Sequence, residues 1–420
     1  MMRKMLAGFL AFGLGAVALA GCGSGTAQSG ESGASGGSAS TLKLWMPPNS
    51  QTDVSDKEGW NEILKPFEEE HNVKVDVTII PWASYEEKFL TGAASGNGAD
   101  VGYMYAEMIG DYIARDQLAP FDEYLTQEQK DSYLYLDLGA VDGVQYSIPF
   151  VVGNARVIFY NKTMLDEAGI DVPTTWDEFH AAAKKISETG KSGFLAPWGD
   201  QTRGTMNSIY FPFVWQAGGD LFNTEGTQTE FASPEGLRAA EFLNSMNEDG
   251  SIPSSATGMS GDDANELFEA GEGAFLIGGT NLYDKLGTQG VDVGVIDSLK
   301  DETEGTFVAA DSLVMFDSCP DKALCADLVK FITSTDAMSQ FHEWAPFPPI
   351  TVDETYEGPE VFRTLYEERG DIFRTLPAIP NSTAAYNSLW VNLQQMALGQ
   401  KTPEEALQTA AAEGDAALNQ

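Results

Sequence analysis

Eight tryptophans and fourteen tyrosines, spread among carboxylates and amides, are the side chains of this sequence best suited to chemistry. Aromatic rings cover flat, weakly apolar ligand faces. Asp, Glu, Asn, Gln and Arg supply hydrogen bonds around the rim. The same rings also serve as core packing, so only those on loops or at strand ends are candidates for holding a ligand. Patterns that serve catalysis fail on context. Gly33-Ala34-Ser35-Gly36-Gly37 matches G-x-S-x-G, but it sits in a Gly/Ser-rich stretch with no strand before it and no helix after it. Gly190-Lys191-Ser192 echoes the end of a phosphate-binding loop, yet the glycine needed five positions earlier is Lys185. A glycoside hydrolase needs two carboxylates about 5–9.5 Å apart; with 63 acidic residues such a pair can arise anywhere, so its presence proves nothing. His71, His180 and His342 are widely separated, and no CxxC, HExxH or calcium-loop spacing occurs. Neither a metal nor a cofactor is expected.

Some ligand-facing positions follow from their place in the pattern. Trp82 comes just after the β-branched run KVDVTII (74–80), at the carboxyl end of a strand, where α/β sheets bind ligands. WGDQTRGTMN (198–207) is polar and glycine-bearing between apolar segments, which marks Trp198, Asp200 and Asn207 as candidates on a loop. Asp311 lies in VAADS, which otherwise reads as buried, and a buried carboxylate needs partners. Sugar hydroxyls and a structural hydrogen-bond network both fit that need.

The elements that must position these residues alternate. TLKLW, KVDVTII and DVGYM read as strands; WNEILKPFEEEH, YEEKFLTGAASG and MIGDYIARDQL read as helices. This predicts an α/β fold with a mostly parallel sheet. YSIPFVVGNARVIFYN (146–161) is a long extended run that suits a chain crossing between domains. Beyond it, Thr174 or Thr175 can cap WDEFHAAAKKISETG, GAFLIGG reads as a buried strand, and the tail from 380 to 418 reads as helical.

The start of the chain is different. Arg3 and Lys4 precede the apolar run 6–20, which is too short to span a membrane comfortably. This is the layout of a secretory signal. Leu19-Ala20-Gly21-Cys22 resembles a bacterial lipobox, which implies cleavage before Cys22 and a diacylglycerol on its thiol. Twelve of the next eighteen residues are Gly or Ser, so the linker has a reach of about 25 Å. Loss of Arg3 and Lys4 takes the formal charge from −39 to −41. Such acidity excludes nucleic acid as a partner and leaves the anchor as the only membrane contact. Cys319 and Cys325 are six residues apart, and an oxidising exterior would favour a local disulfide between them.

Landmarks from 42 to about 410 then fall into one order. They are GADVGYM, QLAPFDEYL, DGVQYSIPF, FYNKTMLDEAGIDVPTTWDEF, FEAGEGAFLIGG and GQKTPEEAL. In that order they resemble the extracellular solute-binding proteins of ABC importers, in the sugar-binding branch that includes maltodextrin binders. The resemblance implies a two-lobed periplasmic-binding-protein-like fold with an interdomain cleft and crossing hinge strands. Its expected divisions are a signal peptide (1–21), a lipidated cysteine and linker (22–40), an N-terminal lobe (41–152 plus 306–349) and a C-terminal lobe (153–305 plus 350–420). It implies a non-catalytic monomer that captures an oligosaccharide and delivers it to permease subunits, and the low-complexity lipid anchor fits the outer face of a Gram-positive cell membrane. A lipid-anchored glycoside hydrolase and a binder of a non-carbohydrate solute are the alternatives.

By the same resemblance, Trp45 and Asn49 belong to a cleft loop, and Tyr105 and Glu107 stand where maltodextrin binders carry tryptophan and aspartate. Asn154 replaces a glutamate, which speaks against a maltodextrin ligand, and Arg156 lies beside it on the crossing segment. Asn281 stands where many relatives have tryptophan. Trp344 and Tyr386 fall in late loops that supply stacking rings.

Overall fold

The computed structural model describes residues 40–49, 53–356 and 358–419. The signal segment, Cys22, the linker up to residue 39 and the G-x-S-x-G match lie outside them. The described residues form one compact unit.

Two sheets organise that unit. In the larger, strand Thr41–Met46 lies between Lys74–Ile79 and Val101–Met104, parallel to both. Ala309–Phe316 then adds antiparallel to Val101–Met104, pairing Ser312 with Met104. Its other side takes Leu118–Ala119 and Ser147–Gly153. The smaller sheet runs in the order Val293–Ile296, Arg156–Asn161, Gly273–Gly279, Ser192–Phe194. Each sheet buries its own apolar residues. The first core draws on 42–152 and 313–350, and includes the helix face Trp60, Ile63, Leu64 and Phe67 that the spacing predicts. The second core draws on 158–309 and 376–410. A smaller cluster around Phe159, Leu276 and Phe362 backs the smaller sheet. The result is the two-lobed α/β architecture expected.

The chain passes between sheets at Gly153-Asn154. Strand Ser147–Gly153 belongs to one sheet and strand Arg156–Asn161 to the other. Gly153 has φ 127° and Asn154 φ 45°, so the reversal uses conformations that most side chains avoid. A Cβ on Gly153 would also lie 2.5 Å from Cγ of Pro348. The chain returns through Thr306–Phe307, which pairs with Phe373–Arg374, into Ala309–Phe316.

Local signals explain the helices. Thr175, not Thr174, caps Trp176–Ser187, and its hydroxyl accepts from Glu178 N–H while the Glu178 side chain returns the bond. Thr402 does the same with Glu405 for Pro403–Leu418. YFPFVWQAGG contains the buried helix Phe211–Gln216. Cys319 and Cys325 are disulfide-bonded, tying the turn after Ala309–Phe316 to helix Lys322–Ile332. Among the described residues no helix is long and apolar enough to cross a membrane.

Candidate functional site

Between the cores, one cluster of rings and charges draws on both lobes. The first lobe supplies Trp82, on a 3-10 turn after strand Lys74–Ile79. Its ring is 42% exposed, although it lies 5.1 Å from the ring of buried Tyr85 and 6.1 Å from that of Tyr103. An indole left this open beside two tyrosines is a ready stacking surface. Tyr105 ends strand Val101–Met104, 6.5 Å from Trp82, and donates its hydroxyl hydrogen to Glu86. Glu107 begins helix Ala106–Ile113 and is only 4% exposed. Burial raises the pKa of its carboxyl, and the Arg203 guanidinium opposes the rise.

Arg203 comes from the second lobe and is 5% exposed. Its Nη2 is 3.0 Å from Glu86 Oε1 and its Nη1 3.7 Å from Glu107 Oε1. The guanidinium lies 5.6 Å from the ring centres of Tyr105 and of Tyr386, one from each lobe. Burial works against this cation. The Tyr105 hydroxyl, Glu86 and Glu107 outweigh that penalty and hold its pKa above the ordinary value.

The crossing segments provide the floor. Arg156 donates to the Asn154 carbonyl at 3.0 Å and lies 5.3 Å from the ring centre of Phe307. Asn154 Oδ1 accepts from Asn281 N–H at 3.4 Å, so these two asparagines meet as well. Asp311 sits at a bulge in Ala309–Phe316 and accepts from the Tyr103 hydroxyl. Burial pushes its carboxyl up to about 7; the Tyr103 bond and Arg156 oppose the rise, and Glu107 adds to it. A raised native pKa costs stability when the group is charged. That cost is absent below the unfolded value near 3.8 and complete above 7. Asp311→Asn should therefore match wild type near pH 4 and become the more stable protein as pH rises to 8, in urea titrations at both values. A constant difference across that range would refute the assignment.

The structure thus brings together Trp82, Tyr105, Glu107, Asn154, Arg156, Asn281, Asp311 and Tyr386. Five other expected ligand residues, Trp45, Trp344, Asn49, Trp198 and Asp200, make contacts elsewhere. Trp45 is 8% exposed and packs edge-on against Phe89 in the first core. Trp344 packs against Trp60 and Phe341. Asn49 makes turn contacts, with its N–H on Asp56 and its side chain on the Pro47 carbonyl. Trp198 is 1% exposed and stacks on Trp390, so this part of the polar stretch 198–207 is core rather than open loop. Asp200 caps its own turn at Thr202 and binds Gly261 N–H. Asn207 is buried, with no hydrogen-bond partner for Oδ1. Tyr386 is wholly buried, its hydroxyl also unpartnered. Glu86, Tyr103 and the central place of Arg203 escaped the sequence reading. The signal for Arg203 was there: it is the one basic residue in WGDQTRGTMN, within a strongly acidic chain.

This architecture has known relatives. A binding protein of Brucella abortus is 26% identical over 375 residues, covering 86% of this chain and 89% of that one. The galactooligosaccharide-binding protein of Bacillus subtilis is 25% identical over 430 residues, covering 98% and 96%. The solved ABC substrate-binding protein of Listeria monocytogenes, in complex with cycloalternan, superposes with a TM-score of 0.77 at 22% identity, over 91% of this chain and 99% of that one. Residues 52–339 match the bacterial extracellular solute-binding proteins, and with two lobes meeting over a shared cluster of rings and charges, this chain belongs to that family of binders, which are not enzymes.

Proposed function

We propose that this protein captures an oligosaccharide between its lobes and hands it to the permease subunits of an ABC importer. The observation that carries the reading is the exposed ring of Trp82 beside a cluster of carboxylates and guanidinium groups drawn from both lobes. Rings suit sugar faces and charged groups suit hydroxyls. The named ligands of the Bacillus and Listeria relatives, galactooligosaccharide and cycloalternan, support the same class. A sugar touching both lobes favours the closed form by its extra contacts there, and the importer reads closure. We place the monomeric protein on the outer face of a Gram-positive membrane, held by lipid on Cys22. The lobes divide near residues 152, 305 and 349, where the chain crosses.

Thermal unfolding of residues 39–420 against maltotriose, galactotriose, arabinotriose and diacetylchitobiose tests this. Ligand at 100 times its dissociation constant adds about 2.7 kcal/mol. The bound sugar should be recovered intact; cleaved sugar, or no stabilisation by any of the four, refutes the proposal. Trp82→Ala should weaken affinity for the stabilising sugar by about 10–100-fold. Its unfolding free energy should change by less than about 1 kcal/mol, because the ring lies outside the core and is 42% exposed. Unchanged affinity would remove Trp82 from the site.

A further inference from the structure

Arg203 is a buried cation whose charge is balanced before any ligand is considered. Glu86 and Glu107 face it from the first lobe at 3.0 and 3.7 Å. Its hydrogen-bonding capacity is not used up, however. Nε and Nη2 have no hydrogen-bond partner; Nη2 is close to Glu86 without the alignment of a hydrogen bond. One helical turn on, Asn207 Oδ1 is equally unpartnered, and so is the hydroxyl of Tyr386, whose ring lies against the guanidinium. Buried polar atoms without partners are rare, because each forfeits its hydration.

The types of these atoms define what would satisfy them. Arg203 offers donors only, Asn207 Oδ1 is an acceptor, and a tyrosine hydroxyl is both. A sugar hydroxyl donates and accepts, so it can serve all three. An ionised carboxylate or phosphate only accepts. It would also meet Glu86 and Glu107, which already face Arg203 at 3.0 and 3.7 Å. Like charges at such range disfavour binding strongly.

We propose that Arg203, neutralised in advance by Glu86 and Glu107, is the charge filter of the cleft: it donates to hydroxyls of uncharged sugars and excludes sugars bearing carboxylate or phosphate. The inference rests on the sugar-binding reading above and narrows its ligand class. Inorganic phosphate and trigalacturonate, titrated at constant ionic strength and followed by thermal unfolding, probe the filter. Wild type should respond to neither. Glu86→Gln/Glu107→Gln leaves the guanidinium uncompensated and should gain at least tenfold in phosphate affinity, and a further Arg203→Met change should abolish that gain. Glu86→Gln alone, at a carboxylate already one-third exposed, should gain in the same direction and serves if the double variant does not fold. Wild-type protein stabilised by trigalacturonate as strongly as by galactotriose would overturn the filter, as would a carboxylate variant indifferent to phosphate. If no neutral sugar binds while phosphate behaves as stated, the sugar-binding reading and the donation to sugar hydroxyls both fail, and only the exclusion of anions by the compensated Arg203 stands.

Discussion

Arg203→Ala should lose about 3–5 kcal/mol of stability at neutral pH, the cost of leaving a buried charge without its partner. Both Arg203 and Glu107 are nearly inaccessible, with side chains 4% and 5% exposed. Burial already drives the Glu107 carboxyl toward its neutral form, and Arg203 is the chief group holding it ionised. Without the guanidinium that pKa rises further. The substitution also removes the cation from between the rings of Tyr105 and Tyr386. Glu86 is one-third exposed and should suffer less, since water replaces its lost partner. Two results follow in urea titrations. The deficit should shrink as pH falls, because protonation relieves the stranded carboxylate. Adding Glu107→Gln should recover a large part of the loss, giving a non-additive double-mutant cycle. A loss below 1 kcal/mol, or one indifferent to pH, would mean that this pair contributes little across the lobes.

The second large effect should come from Gly110. This glycine lies in helix Ala106–Ile113 of the first lobe, against a segment that carries Ile379 of the second core. A Cβ there would stand 2.6 Å from the Ile379 carbonyl carbon, 2.7 Å from its oxygen and 2.9 Å from Pro380 N. These are backbone atoms, so no side-chain rotation relieves the clash. Gly110→Ala should act as a wedge between lobes while each core stays intact. Overpacking costs about 1–3 kcal/mol, and that cost falls on the closed form. Sugar affinity should therefore drop about 5–150-fold, more for Gly110→Val. Small-angle scattering of the liganded variant should give a larger radius of gyration than wild type. Unchanged affinity in both variants would show that closure does not need this contact.

The sequence made most of the fold legible because its signals are local. Thr175 and Thr402 stand three residues before the glutamates they pair with, and the apolar face of 60–67 keeps helical spacing. The long extended run 146–161 showed its role as a crossing because nothing else explains so many β-forming residues in one stretch. The centre of the larger sheet was not legible in the same way. TFVAADSLVMF (306–316) has the pattern of a strand, yet the neighbours of Ala309–Phe316, Val101–Met104 and Ser147–Gly153, come from far earlier in the chain, and local pattern carries no record of that pairing.

The site divided along a similar line. Trp82, Tyr105, Glu107 and Asp311 were found because strand ends and an out-of-place carboxylate are visible in pattern. Trp45, Trp198 and Trp344 looked equally good, since an aromatic residue at an element's end reads the same whether its ring turns toward solvent or core. Phe89 and Trp390 offered apolar surface on which the rings of Trp45 and Trp198 are buried, at a gain of about 2–3 kcal/mol each, and half-buried Trp344 packs against Trp60. Arg203 is a single basic residue in WGDQTRGTMN, and no local pattern says what it faces. Its two carboxylate partners sit on separate helices, and only the tertiary structure brings all three together.

The late arrival of Ala309–Phe316 also sets a clock for synthesis. Tyr103 and its hydrogen-bond partner Asp311 are separated by 208 positions. At about 5–20 residues per second, the ribosome needs roughly 10–40 s to make that interval. Throughout it, strand Val101–Met104 has one open edge, and the apolar residues that Leu313–Phe316 will cover remain without a lid. The first lobe cannot complete its sheet while the chain is still emerging, whatever the local helices do. Long-range pairing of this kind folds slowly, so the nascent chain stays open, and accessible to chaperones, until three-quarters of it has been made.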